Sequence, residues 1–113
     1  MKFKTVPHGP ISVIELEGNL MGGPDAAILN GKLHELIEAG KNNVVVDLGG
    51  VQFMNSSGLG QLIAGVRAMK DAGGTLKIAN ASAKISALIK ITKLTSVFET
   101  YDSVQKALES FKE

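Results

Sequence analysis

Residues 53–60 read FMNSSGLG, with two adjacent serines set between an apolar pair and two glycines. Serine in such a place suggests a nucleophile, a phosphate cradle or a metal-assisted site, and spacing tests each. A nucleophile elbow needs glycine two residues before the serine. Met54 precedes Ser56 by two and Asn55 precedes Ser57 by two, so that pattern fails. A serine triad also needs a histidine base. The two histidines are His8, near Pro10 in a turn, and His34, inside a helical run; neither is paired with a serine by the pattern. Both read as surface or boundary residues. Gly58-x-Gly60 has Ile63 where a dinucleotide fingerprint needs its third glycine, and no Gly-Lys-Ser/Thr follows. Two separated histidines, no cysteine and scattered acids supply no metal set.

What remains is a helix start. Asn55 or Ser56 suits the N-cap position, where a side-chain oxygen accepts from free helix N–H groups and contributes roughly 1 kcal/mol. Capping needs one residue, not this whole set. Glycine in a helix costs roughly 1 kcal/mol relative to alanine, so Gly58 and Gly60 make sense where something approaches the backbone closely. A hydroxyl at a helix N-terminus is also a good place for a phosphate, because the unpaired N–H groups and the helix dipole favour negative charge. Phosphoserine carries about −1.5 to −2 charges. On a small apolar surface that charge would close an interface by repulsion and desolvation. The residues point to a switch rather than a catalyst.

Composition narrows the setting. At 113 residues one domain is expected. Apolar residues make up 44% and aromatics 4%, so the core should be aliphatic. Twelve Lys+Arg against eleven Asp+Glu leave a net charge of +1, which gives no reason to invoke a nucleic-acid or membrane surface. The absence of cysteine fits a reducing compartment. The opening MKFKTVPHG lacks the apolar stretch of a signal peptide, and no apolar run approaches the ~20 residues of a membrane helix. A cytoplasmic domain is expected.

The elements that must position the serines follow from periodicity. Phe3, Thr5 and Val6 form a weak strand, Gly9-Pro10 a turn, and ISVIELE at 11–17 a strand covered on much of both faces, so the two predict a hairpin. Pro24 suits a first helical position, and Ile28, Leu29, Leu33, Leu36 and Ile37 recur at helical spacing until Gly40. Val44-Val45-Val46-Asp47-Leu48 reads as a buried central strand, Gly49-Gly50 as a turn, and 51–54 as an extended lead into the serines. Leu59, Leu62, Ile63, Val66 and Met69 place a helix over 57–72. TLKIA at 75–79 predicts a strand, and Ile85, Leu88, Ile89 and Ile91 a shorter helix. Residues 97–101 predict a last strand. Asp102, with Gln105, predicts the capping box of a final helix carrying Val104, Ala107, Leu108 and Phe111. The order β-β-α-β-α-β-α-β-α implies an α/β fold, a mostly parallel sheet with an N-terminal antiparallel hairpin and about four helices. In such sheets sites favour the carboxyl ends of strands, where 55–60 lies.

The run VVVDLGGVQFMNSSGLGQLIAGVRAMKDAGGTLKIANA resembles the core signature of STAS domains, the fold of anti-sigma factor antagonists. Asp47-Leu48, Phe53-Met54 and Ser56-Ser57-Gly58-Leu59-Gly60 carry the match. The tail ISALIKITKLTSVFETYDSVQKAL is similar to the family's later helix, its segment through Leu94, Val97 and Phe98, and its last helix. The resemblance spans nearly all of 1–113, as one STAS domain. It implies partner switching: the unphosphorylated protein binds an anti-sigma factor of the serine-kinase type and releases a sigma factor. The kinase modifies the residue matching Ser56, and a serine phosphatase reverses it. Met21, Asn55, Ser56, Ser57, Gly58, Leu59 and Gly60 would form the docking surface. No cofactor, metal, nucleic acid or membrane is implied, and no catalysis.

Two departures stand out. The family commonly has Asp before the modified serine, and this chain has Asn55. The family's Gly-x-Leu-Asp becomes Gly18-Asn19-Leu20-Met21. Both remove negative charge, and with it charge-assisted contacts to a partner's Arg or Lys. They favour a second reading, an unphosphorylated STAS scaffold in a larger regulatory or transport complex. Lys84, Lys90 and Lys93 read as a solvated basic helix surface.

Overall fold

The computed structural model describes residues 2–21, 23–91 and 99–111. Its elements are β1 (Lys2–His8), β2 (Ile11–Leu20), α1 (Pro24–Glu38), β3 (Asn43–Met54), α2 (Ser56–Asp71), β4 (Thr75–Ala79), α3 (Ala83–Ile91), β5 (Glu99–Tyr101) and α4 (Val104–Ser110). The sheet order is β1-β2-β3-β4-β5. The β1–β2 pair is antiparallel, closed by Gly9-Pro10 between His8 and Ile11, and the other pairs are parallel. This is the predicted α/β architecture. Of the expected last strand, Val97 and Phe98 lie outside the described residues, as do Leu94 and Lys93.

Strand order decides where the helices go. A crossover between adjacent parallel strands is right-handed. Each step from β2 to β5 moves the same way across the sheet, so α1, α2 and α3 fall on one face. The main core lies there, with Ile14, Leu16, Val44, Val46, Leu76 and Ile78 from the strands packed against Leu29, Leu33, Leu62, Met69 and Ile85 from the helices. The opposite face holds a smaller cluster of Ile11, Val13, Val45 and Ala79 beneath Ala107 of α4. The VVV run is explained by this: successive side chains alternate between faces, and both faces are covered.

Gly49-Gly50 does not turn the chain. β3 continues through it to Met54, and the strand expected to end at Leu48 is one element with the extended lead. Two register shifts against β2, between Glu15/Glu17 and between Gly18/Asn19, each give β3 one extra residue. These are β-bulges, which re-aim side chains. They convert the usual alternation into a repeat of three, so that Leu48, Val51 and Met54 are buried while Gln52 and Phe53 are exposed. Glycine at position 50 is what permits the course, since a Cβ there would stand 2.7 Å from the Leu16 carbonyl oxygen.

The final helix also differs from expectation at its start. Ser103, not Asp102, is the N-cap, its Oγ accepting from the Lys106 N–H at 3.1 Å. Asp102 instead faces Lys106 Nζ at 3.5 Å, and Gln105 donates to Glu109 at 3.1 Å. Helix α4 is anchored by a polar contact that periodicity does not reveal. Lys77, on β4, is 6% exposed. Its ammonium donates to Ser110 Oγ at 2.6 Å and lies 4.3 Å from the Phe111 ring centroid and 5.3 Å from that of Tyr101. Hydroxyl and π-faces take the place of a carboxylate.

Candidate functional site

One residue joins β3 to α2. Asn55 is extended, with φ −97° and ψ −179°, and its N–H, carbonyl and side-chain oxygen each make a hydrogen bond at the junction. Its N–H donates to the Leu20 carbonyl at 3.3 Å, tying the helix start to the end of β2. Its Oδ1 accepts from the Gly58 N–H at 2.8 Å, and its carbonyl accepts the first helical bond from Leu59 at 3.0 Å. Asn55 is therefore the N-cap, and Ser56 and Ser57 are left free of that duty. Both serines are exposed in the first turn, and their hydroxyls make no hydrogen bond among the described residues.

The two glycines part company. Gly58 is buried, and a Cβ on it would run into the Leu20 carbonyl oxygen, with the Leu20 carbonyl carbon at 2.8 Å. The close approach expected of this glycine is to the protein's own backbone. Gly60 is exposed, and a Cβ on it would meet nothing within 4 Å. No packing demand accounts for it. Leu59 is 3% exposed and belongs to the core, so of the residues expected on a docking surface Gly58 and Leu59 are buried. Met21, Ser56, Ser57 and Gly60 are exposed, and Asn55 is half-buried.

Electrostatically the site is bare. Residues 18–24 and 48–66 contain no ionisable side chain. Pairing of β2 with β3, Asn19 opposite Phe53 and Leu20 opposite Met54, brings these two neutral stretches together. Helix α2 has no acid in its first turn and Lys70 in its last. The positive end of its dipole is thus uncompensated by its own first turn. Around it Met21 is 44% exposed and Phe53 50%, large apolar side chains that the core does not claim.

Behind the site, Asp47 lies within β3, beside the carboxyl end of β4. Its Oδ1 accepts from the Gly49 N–H at 2.8 Å and from Asn80 Nδ2 at 3.0 Å. Asn80 holds a left-handed φ of 59° and its N–H donates to the Tyr101 carbonyl at 3.1 Å. Of the Asp-Leu pair in the sequence, Asp47 therefore braces Gly49 of β3 and the residue after β4, while Leu48 is buried in the core. Sequence reasoning did not find Asn80, and an Asn following a predicted strand was the available signal. His8 ends β1 and His34 is exposed on α1, and neither bonds to a serine among the described residues. Among those residues no group of three or more His, Cys, Asp or Glu could hold a metal ion. No helix there is long and apolar enough to cross a membrane.

Comparison with known proteins places this geometry. The model of the STAS domain matches residues 2–107. The anti-sigma-B factor antagonist of Bacillus subtilis (strain 168) is 32% identical over 88 residues, covering 75% of this chain and 80% of that protein. Among solved structures, an anti-sigma factor antagonist from Mycobacterium paratuberculosis superposes with a TM-score of 0.85 at 21% identity, covering 99% of this chain and 94% of its own. The anti-sigma factor antagonist SpoIIAA in its unphosphorylated form superposes at 0.74 with 19% identity, covering 98% of both chains. The phosphorylated form of SpoIIAA, a Bacillus cell fate determinant, gives the same TM-score and identity over 97% of this chain and 99% of its own. The structural likenesses establish the shared fold.

Proposed function

The chain belongs to the STAS domain family, and from that premise we propose that it is an anti-sigma factor antagonist switched off by phosphorylation of Ser56. The observation that carries this reading is the exposed Ser56 hydroxyl, without a hydrogen bond among the described residues, on a capped helix start that contains no charge of its own. Asn55 already satisfies the Gly58 N–H, so the serine is not needed for the fold. In the unphosphorylated state the surface is neutral and partly apolar, built from Met21, Asn55, Ser56, Ser57 and Gly60 over a floor of Gly58 and Leu59. An anti-sigma factor of the serine-kinase type docks there and is drawn away from its sigma factor. Transfer of a phosphoryl group to Ser56 adds about −1.5 to −2 charges. The helix dipole stabilises that charge within this protein, while a partner that must desolvate it is repelled. A serine phosphatase restores the neutral surface. The protein is a substrate and a binding module, not a catalyst.

Asn55 and Met21 shape the switch rather than abolish it. With no neighbouring carboxylates, phosphate becomes the one charge in the patch, so the contrast between the two states is large. The partner's contact surface is correspondingly less dependent on Arg or Lys.

Intact-mass and fragmentation mass spectrometry on the protein isolated from its own cells, at rest and under stress, tests the reading. A phosphate on Ser56 that changes in occupancy is expected. An unmodified chain under every condition, held in a stoichiometric complex with neither kinase nor anti-sigma factor, would establish the scaffold reading instead.

A further inference from the structure

β3 is longer than the strand beside it. Pairing with β4 ends at Asp47 opposite Ala79, while pairing with β2 continues to Met54. Beyond this point Gly49 turns its N–H to the Asp47 side chain at 2.8 Å. Among the described residues, 50–54 then have a strand neighbour on the β2 side only. On the other side their ladder groups have no backbone partner among the described residues. Unpaired ladder groups at a sheet edge are a template for another extended chain.

The ground beside this edge is not flat solvent. Helix α3 lies across from it, and between them is a groove of about 280 Å³ lined by Gln52, Phe53, Met54, Lys84, Ile85 and Leu88. The second bulge of β3 turns Phe53 outward, 50% exposed, onto its rim. Lys84 is the charged residue of the lining, is exposed, and forms no ion pair among the described residues.

We infer that this notch, where β4 stops and β3 goes on, binds an extended segment of a partner protein by strand addition. The unpaired edge specifies an extended backbone, the groove between Phe53 and Leu88 takes one apolar side chain, and Lys84 takes an acidic one. Main-chain bonds supply affinity in this mode and alternate side chains supply selection. Charge argues against a second copy as occupant. The free edge strand β1 carries Lys2 and Lys4, which would meet Lys84 with like charge, and β5 is only three residues long. The notch runs directly into Asn55 and Ser56, so a segment docked there lies alongside the switch without depending on it.

The test uses the full, unphosphorylated chain and no anti-sigma factor, so its outcome is independent of Ser56 modification. The probe is an end-blocked hexapeptide alternating glutamate with valine, together with its twin methylated on alternate backbone nitrogens. The unmethylated peptide should slow amide exchange at residues 50–54 and shift the Phe53 and Lys84 resonances, and the methylated twin should not. Lys84→Glu should weaken the glutamate peptide about fivefold, the upper range of an exposed charge pair, and favour a lysine-for-glutamate peptide. Equal binding of the methylated twin, protection at β1 or β5 instead, self-association through residues 50–54, or no binding at millimolar peptide would each overturn the inference.

Discussion

Helices α2 and α4 both begin with a short polar cap, Asn55 in one and Ser103 in the other, each accepting from the N–H three residues on. What surrounds the caps differs. At α4, Asp102 precedes the cap and faces Lys106, so negative charge already stands at the dipole's positive end. At α2 the first turn has no acid and presents two serine hydroxyls that are unengaged among the described residues, although the helix is 16 residues long against seven. The shorter helix is closed by its own charges, and the longer one is left open to an added anion. The same local device is matched by a nearby acid in one place and left without one in the other. The telling feature is a charge that is missing rather than a residue that is present.

Substitutions can break this contrast, and the largest effect belongs to the floor of the site. Gly58→Ala forces a Cβ into the Leu20 backbone, and overpacking of this kind costs about 2 kcal/mol. Urea denaturation should show the loss, together with detachment of α2 from β2. Removing the caps comes next. Asn55→Ala should cost about 1 kcal/mol through the lost Gly58 bond. Ser103→Ala should cost less than that, because Asp102 and its ion pair remain at the α4 start. Equal losses in the two variants would show that charge around the caps makes no difference to stability.

The contrast was only partly legible in the sequence. Apolar periodicity located α1 to α4 and the strands because it reports burial directly: Val44, Val45 and Val46 alternate between two covered faces. Helix-start chemistry offered Asn55 or Ser56 as the cap, and the structure chose Asn55. Features set by long-range partners were not legible. Gly49-Gly50 looks like a turn, because glycine pairs mark both turns and bulges, and only the Leu16 backbone across the ladder decides between them. Asp102 looks like a cap because it precedes a helix, but Ser103 sits one residue nearer with the right backbone. Lys77 falls in an alternating strand, and its partners Tyr101, Ser110 and Phe111 come from the far end of the chain. Gly58 and Gly60 are two residues apart and indistinguishable by type. The fold presses one against Leu20 and leaves the other in open space.

That last difference sharpens the comparison further. Gly60→Ala has room, and it should stabilise the helix by about 0.5–1 kcal/mol. If Gly60 is there so that a partner can approach the α2 backbone, the same substitution should weaken binding to the anti-sigma factor while raising the denaturation midpoint. A variant that is more stable and binds equally well would remove Gly60 from the docking surface.

Ser56→Asp carries the smallest expected change in stability and the most informative sign. A carboxylate in the first turn of α2 meets an uncompensated helix dipole, so the folded state should gain about 0.3–1 kcal/mol at low ionic strength. The gain should shrink as salt is added, because the site is exposed and screening acts on it. At α4 the equivalent place is already served by Asp102, so a further acid at Val104 should gain less. Binding to the anti-sigma factor should move in the opposite direction, with Ser56→Asp weaker than wild type and Ser56→Ala close to it. Stability and affinity diverging at one residue is the signature of a surface whose charge is meant to be added and removed. If Ser56→Asp bound the anti-sigma factor as tightly as wild type, the empty dipole at α2 would be a feature of the helix alone, and the switch would have to lie elsewhere.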